Sequence, residues 1–336
     1  MSIKIPILLS YYALSNGRTI LLFGQITYTR IRDLSFIEYG RRKTFRTLLK
    51  LYRTKAYANQ SIAIHFTRGS VRAETNRHGA FYLQIPRQKV QGVLEKITLV
   101  SGADVRLIEG LYARTIHHIE GNTLIVSDID DTLLHSFVHD RLLKFSTLAF
   151  TTVEKRKAVT DMQDILRKFT GRGAIPVYLS NSEQNLYPLI YRFLRHNGFP
   201  DGPLFLRQLR KLWDLVMNVK IPPKNTHKVN TLEELIKLFP EKQFVLMGDN
   251  TQQDLPIYLS AAEKFGSQIR YIIIRKVVEK KGDKVLIERA RAILEKNGTV
   301  FYFADEFPKR LQARRPAPSK RVKGGAYTPR QKGRKE

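Results

Sequence analysis

Cysteine is absent from the 336 residues. Disulfides, thiolate metal sites and a cysteine nucleophile are therefore excluded. The absence also fits a reducing compartment, and a cytoplasmic setting is the expectation. Long apolar runs are lacking too. None approaches the ~18 residues that a membrane-spanning helix needs. The opening stretch, Ile5-Pro6-Ile7-Leu8-Leu9, follows a single Lys and lacks a convincing cleavage site, so it reads as mature chain. Acidic charge is scarce. Asp and Glu number 30 against 58 Lys and Arg, which leaves a net charge of +28. Such an excess speaks of polyanionic partners and not of fold. Nucleic acid, an anionic membrane surface and phosphorylated molecules all fit.

Three regions are expected. Residues 1–120 read as a β-rich domain. Ser61-Ile62-Ala63-Ile64-His65-Phe66 and Ala80-Phe81-Tyr82-Leu83-Gln84-Ile85 are rich in strand formers. Asn76-Arg77-His78-Gly79 between them reads as a turn. Phe45, Leu48, Leu49 and Tyr52 recur at helical spacing, with Arg42, Arg46, Lys50 and Arg53 on another face. That pattern predicts a basic amphipathic helix. Residues 308–336 carry eleven Lys or Arg against one acid, so ten of the 28 net charges sit there. Without apolar periodicity, this tail is expected to be disordered.

Residues 121–307 alternate strands and helices. Leu124-Ile125-Val126, Ile175 to Leu179, Phe244 to Met247 and Tyr271 to Ile274 are short apolar runs. Such runs suit strands buried on both faces of a parallel sheet. A helix is expected over Leu186 to His196, ending at Asn197-Gly198. Another is expected to begin near Asn230-Thr231, where Thr231 and Glu234 have capping-box spacing. The order predicts an α/β fold with a doubly wound parallel sheet, Rossmann-type, behind the β-rich domain.

Carboxylates fall where these strands end. The first run leads into Asp128-Ile129-Asp130-Asp131-Thr132, the second into Ser180-Asn181-Ser182, and the third into Gly248-Asp249 with Asp254 beyond. Open α/β sheets bind ligands at the carboxyl ends of their strands, so these clusters should meet. Lys228 is expected just ahead of the helix that leads to the third run. Together they suit phosphoryl transfer. Asp128 is the candidate nucleophile. Asp130 is the candidate acid, then base, with a pKa that crowded carboxylates would raise. Asp128, Asp130, Asp249 and Asp254 are candidate ligands for Mg²⁺, a cation that favours hard oxygen donors. Thr132, Ser180, Asn181 and Lys228 are candidate substrate contacts. Asp131 reads as a turn former, and Asp254 also has a plain reading as a helix N-cap. His117, His118 and His227 show no ligand spacing and read as structural.

The set Asp128-x-Asp130-x-Thr132, Ser180, Lys228 and Asp249 with Asp254 resembles the haloacid dehalogenase superfamily, in its expected order. Surrounding words narrow the resemblance. Ser127 to Thr132, Tyr178 to Ser182, Leu186-Tyr187-Pro188, Gly198 to Leu204, His227-Lys228, Phe239 to Phe244 and Gly248 to Tyr258 are similar to the actin-patch-associated phosphatidate phosphatases and their bacterial relatives. The resemblance spans about 120 to 280. Thr160-Asp161-Met162 departs from that family's more frequent Pro-Gly-Met, and the insert from Ser136 to Thr152 departs as well. The resemblance implies a haloacid dehalogenase-like domain with a Mg²⁺-dependent phosphatase activity that converts phosphatidate to diacylglycerol. A phosphatase of polynucleotide ends or soluble monoesters, and a non-catalytic basic binding protein, are the other readings. The basic regions are expected to favour an anionic membrane surface, with nucleic acid as their rival partner.

Overall fold

The computed structural model describes residues 4–30, 54–135, 157–207, 226–279, 283–305 and 307. The expected basic helix, the insert after Ser136 and the basic tail lie outside them.

The β-rich part holds nine strands among the described residues. They are β1 (Lys4–Ser15), β2 (Thr19–Arg30), β3 (Lys55–Ala56), β4 (Ser61–Arg68), β5 (Ser70–Glu74), β6 (Ala80–Pro86), β7 (Gln91–Leu99), β8 (Asp104–Val105) and β9 (His117–His118). One sheet runs β3-β2-β1-β9, with β6 also paired to β2; the other runs β5-β4-β7-β8. The opening apolar stretch is therefore a strand, antiparallel to β2. The expected turn before β6 is present: Gly79 has φ +73, and a Cβ there would come within 2.3 Å of Ile26 O.

The second part begins with β10 (Thr123–Ser127). It continues through α1 (Thr160–Thr170), β11 (Ile175–Glu183), α2 (Tyr187–His196) and β12 (Leu204–Arg207). Then come α3 (Thr226–Leu238), β13 (Gln243–Asp249), α4 (Asp254–Phe265), β14 (Ile269–Arg275), α5 (Asp283–Lys296) and β15 (Val300–Ala304). The sheet order is β12-β11-β10-β13-β14-β15, and every pairing is parallel. Alternate side chains of a strand face opposite sides. Ile125, Val245, Met247 and Ile273 accordingly pack with Met162, Ile165 and Ile190 of α1 and α2. Leu124, Val126, Leu246 and Ile272 pack with Leu235, Tyr258 and Leu294 of α3, α4 and α5. Helices thus cover both faces, which explains why these strands are apolar without alternation.

The two parts pack together. Tyr12 of β1 lies on Phe205 of β12, with ring centroids 4.3 Å apart. Gln184 Nε2 donates to Ser10 Oγ at 2.6 Å, and Tyr187 OH donates to Tyr11 O at 3.2 Å. Strand β1 is buried on both sides: Ile7, Leu8 and Leu9 belong to one apolar cluster, Tyr12 and Leu14 to the other.

Candidate functional site

Strand order reverses direction at β10. From there the chain winds one way to β11 and β12, and the other way to β13, β14 and β15. The crevice at such a reversal is where open α/β sheets place ligands. Asp128 leaves the end of β10, and Asp249 ends the neighbouring β13. Asp128 N donates to Met247 O at 2.8 Å, which extends the ladder past the strand and fixes the nucleophile candidate beside Asp249.

Lys228 lies between the carboxylates. Its Nζ is 2.7 Å from Asp128 Oδ1 and 2.5 Å from Asp254 Oδ1. All three side chains are buried. Burial alone would lower the lysine pKa, but Asp128 and Asp254 together raise it above the ordinary value. The ammonium is therefore charged. Burial pushes the Asp128 carboxyl well up, opposed by Lys228 and assisted by the other carboxylates. Asp249 is raised to about 6, first by burial and then by the charge of Asp254.

Hydroxyls and backbone donors hold the rest. Thr132 Oγ1 lies 3.1 Å from both Asp128 Oδ2 and Asp249 Oδ2. A hydroxyl has one proton, so it donates to one of them at a time. Asp249 Oδ1 accepts from Thr251 N and Thr251 Oγ1, each at 2.5 Å. Asp254 Oδ2 accepts from Asp249 N at 3.2 Å. Asp254 is the first residue of α4, yet its carboxylate turns to Lys228 and away from the helix end. The glycine before Asp249 permits this approach: a Cβ on Gly248 would sit 2.6 Å from Asp254 Oδ2.

Asp130 stands with the second cluster. Its Oδ2 accepts from Ser180 Oγ at 3.1 Å and from Ser182 Oγ at 2.7 Å. Ser182 N donates to Ser180 Oγ at 2.9 Å, which orders the pair. Asn181 Oδ1 is buried with no hydrogen-bond partner among the described residues. Asp131 takes φ +62, as a turn former would, since Asp tolerates the left-handed region. Arg275 Nη1 donates to Asp131 O at 2.7 Å and clamps that turn from the end of β14.

The structure thus joins Asp128, Thr132, Lys228, Asp249 and Asp254 in one network, with Asp130 and Ser180 in a separate hydrogen-bonded group near enough for Asp130 to act electrostatically on Asp128. One expectation is corrected. Lys228 is not ahead of a helix starting near Thr231 but within α3, which spans Thr226–Leu238. Thr231 is mid-helix, and its Oγ1 faces His227 Nδ1 at 3.5 Å, one turn back. Ser182 and Arg275 carry no role that the sequence assigns. Ser182 is legible only as a neighbour of Ser180. Arg275 reaches across 144 positions, a contact that no local pattern announces.

The donor set fits a divalent cation. Oxygens of Asp128, Asp249 and Asp254 all lie within 4.8 Å of one another, and Asp130 is not in that group. Fully ionised, these three buried carboxylates against the one ammonium of Lys228 would leave an excess of two negative charges. Buried charge without compensation is costly. A hard, doubly charged ion with oxygen preference would neutralise it.

A buried, acidic, lysine-centred cluster at the switch point of a parallel α/β sheet is the class that fold and geometry define. Residues 123–276 match the family model described as phosphatidate phosphatase APP1, catalytic domain. Phosphatidate phosphatase APP1 of Saccharomyces cerevisiae is 30% identical over 162 residues, which are 45% of this chain and 25% of that protein. A protein of Schizosaccharomyces pombe described as uncharacterized is 26% identical over 258 residues, 75% of this chain and 41% of that one. The chain therefore spans less than half the length of either relative. A carbohydrate acetylesterase from Xanthomonas citri superposes over 90% of this chain and 68% of its own, at 12% identity and a TM-score of 0.29, which carries no argument. Among the described residues, no helix is long and apolar enough to cross a membrane.

Proposed function

We propose that the chain is a Mg²⁺-dependent phosphatase of the haloacid dehalogenase-like type. It acts through an aspartyl-phosphate on a lipid phosphate monoester, with phosphatidate as the substrate. The observation that carries this reading is the pairing of two differently held carboxylates. Asp128 is buried against Lys228, and Asp130, two residues on, is half-buried and held by two serine hydroxyls.

In this reading an Asp128 carboxylate oxygen attacks phosphorus as the bond to the leaving oxygen breaks. Asp130 gives that oxygen its proton, releasing diacylglycerol. Asp130 then takes a proton from water, which attacks the phosphoryl group and frees Asp128 and inorganic phosphate. Lys228 holds Asp128 in place and adds positive charge for the phosphoryl oxygens. Ser180, Asn181 and Thr132 line the same crevice as substrate contacts. Asp128 and Asp249, with Asp254 behind them, would hold Mg²⁺. When bound, the ion shields an anionic nucleophile from an anionic phosphate. The domain division near residue 120, a cytoplasmic setting and peripheral attachment to anionic membrane through the basic regions belong to the same proposal. Each Lys or Arg near such a surface gains roughly 1 kcal/mol.

Phosphate release from phosphatidate vesicles, nucleotide ends and sugar phosphates tests the substrate class. Release from phosphatidate is expected, with loss on exhaustive chelation and recovery on adding Mg²⁺. Release from polynucleotide ends alone would replace the lipid reading, and full activity after chelation would remove the metal.

Asp130→Asn should slow both steps, because one group serves both. With a leaving group that needs no proton, formation of the intermediate should recover while its hydrolysis stays slow by about 10²–10⁴-fold. Rapid-quench kinetics separates the two. An unaltered hydrolysis step would assign the base elsewhere.

A further inference from the structure

A cavity bordered by basic side chains lies in the β-rich part. It encloses about 250 Å³ and is lined by Arg87, Val90, Gln91, Gly92, Ile116 and His118. Val90 and Ile116 are buried, whereas Arg87, Gln91 and His118 are exposed. The backbones of three further basic residues run beside it. Arg87 N donates to Arg18 O at 2.9 Å, which brings the β1–β2 turn alongside. Arg68 faces Gln91 across the β4–β7 ladder. Gly69, next to Arg68, packs so closely on Lys89 that a Cβ would come within 2.1 Å of Lys89 O.

Arg18, Arg68, Arg87 and Lys89 are all exposed. Among the described residues none of them forms an ion pair, although other surface cations do, such as Arg195 with Asp201 and Lys264 with Glu233. Unneutralised cations around a concavity focus a positive potential and concentrate anions there. The planar guanidinium fork can donate to two oxygens of a phosphate at once, which a point charge does not. The volume falls below the roughly 300–1,000 Å³ of drug-sized sites, so a small head group is the fitting occupant. Both Arg87 and His118 precede β10 in the chain, whereas the catalytic carboxylates follow it. None of them belongs to the network around Lys228.

We propose that this cavity binds a phosphate monoester anion, separately from the catalytic crevice. The inference does not rest on phosphatase activity. The shared chemistry is the phosphate itself, whether it is soluble or the head of a lipid.

The test uses the full chain with ring-labelled histidine. The His118 signal is assigned by its loss in His118→Gln, and inorganic phosphate is titrated. The signal should move saturably, and Arg87→Gln should weaken the response by roughly tenfold, the effect of losing one charge-assisted hydrogen bond. Product binding in the catalytic crevice does not touch His118, so the readout is local. Vesicles of phosphatidylcholine with or without phosphatidate then separate the sources. Reduced binding of Arg87→Gln to the phosphatidate vesicles assigns the site to a lipid head. Unchanged vesicle binding beside a weakened phosphate response assigns it to a soluble anion. A His118 signal that ignores phosphate, or responds equally in both proteins, overturns the proposal.

Discussion

Asp128→Asn should leave a folded protein whose phosphate release falls by about 10⁴-fold or more, the scale seen when a nucleophile is removed. The fold should tolerate the change. Burial already disfavours the Asp128 carboxylate, and an amide of nearly equal shape removes that charge. Lys228 keeps Asp254 as a partner at 2.5 Å. Circular dichroism beside the activity assay checks both halves. A folded variant with near-normal rates would remove Asp128 from the chemistry.

Lys228→Met should produce the largest loss of stability of any single substitution in the site. The lysine is 1% exposed and serves two carboxylates that are fully buried. Removing it leaves both without their cation, and breaking a buried pair from one side costs about 3–5 kcal/mol. The urea midpoint in metal-free buffer should fall accordingly. Adding Asp254→Asn to the same chain should restore part of the loss, because the orphaned charge goes with it. If Lys228→Met unfolds at the wild-type urea concentration, the ion-pair network does not hold the site together.

The candidate catalytic constellation is more legible in the sequence than the scaffold that supports it. Val126-Ser127-Asp128 and Met247-Gly248-Asp249 announce themselves because an apolar run that stops at a carboxylate marks the end of a buried strand. The runs that form β10, β13 and β14 are apolar on both faces, and that alone implies helices above and below. Asp131 is readable as a turn residue, and its φ of +62 agrees. Strands β1 and β2 are not legible as 12-residue strands. Ser10, Ser15 and Gln25 interrupt the apolar pattern, and the buried side chains of Ser10 and Gln25 find their partners far along the chain. Ser10, for one, is met by Gln184, 174 positions away. The start of α3 is misread from sequence because a capping-box spacing at Thr231 and Glu234 is a local signal. Tertiary packing overrides it and carries the helix back to Thr226. Ser182 and Arg275 act on Asp130 and Asp131 through contacts that only the folded sheet creates.

The most direct measurement is to trap the covalent intermediate. Asp130→Asn protein, mixed with a substrate whose leaving group needs no proton and quenched in acid within one turnover, is digested and its peptides are weighed. Slow hydrolysis should let the intermediate accumulate, so the account predicts one phosphoryl group on the peptide that contains Asp128, and none when Asp128→Asn is added. Product release in that turnover with every peptide unmodified, or a phosphoryl group on any other residue, would contradict it.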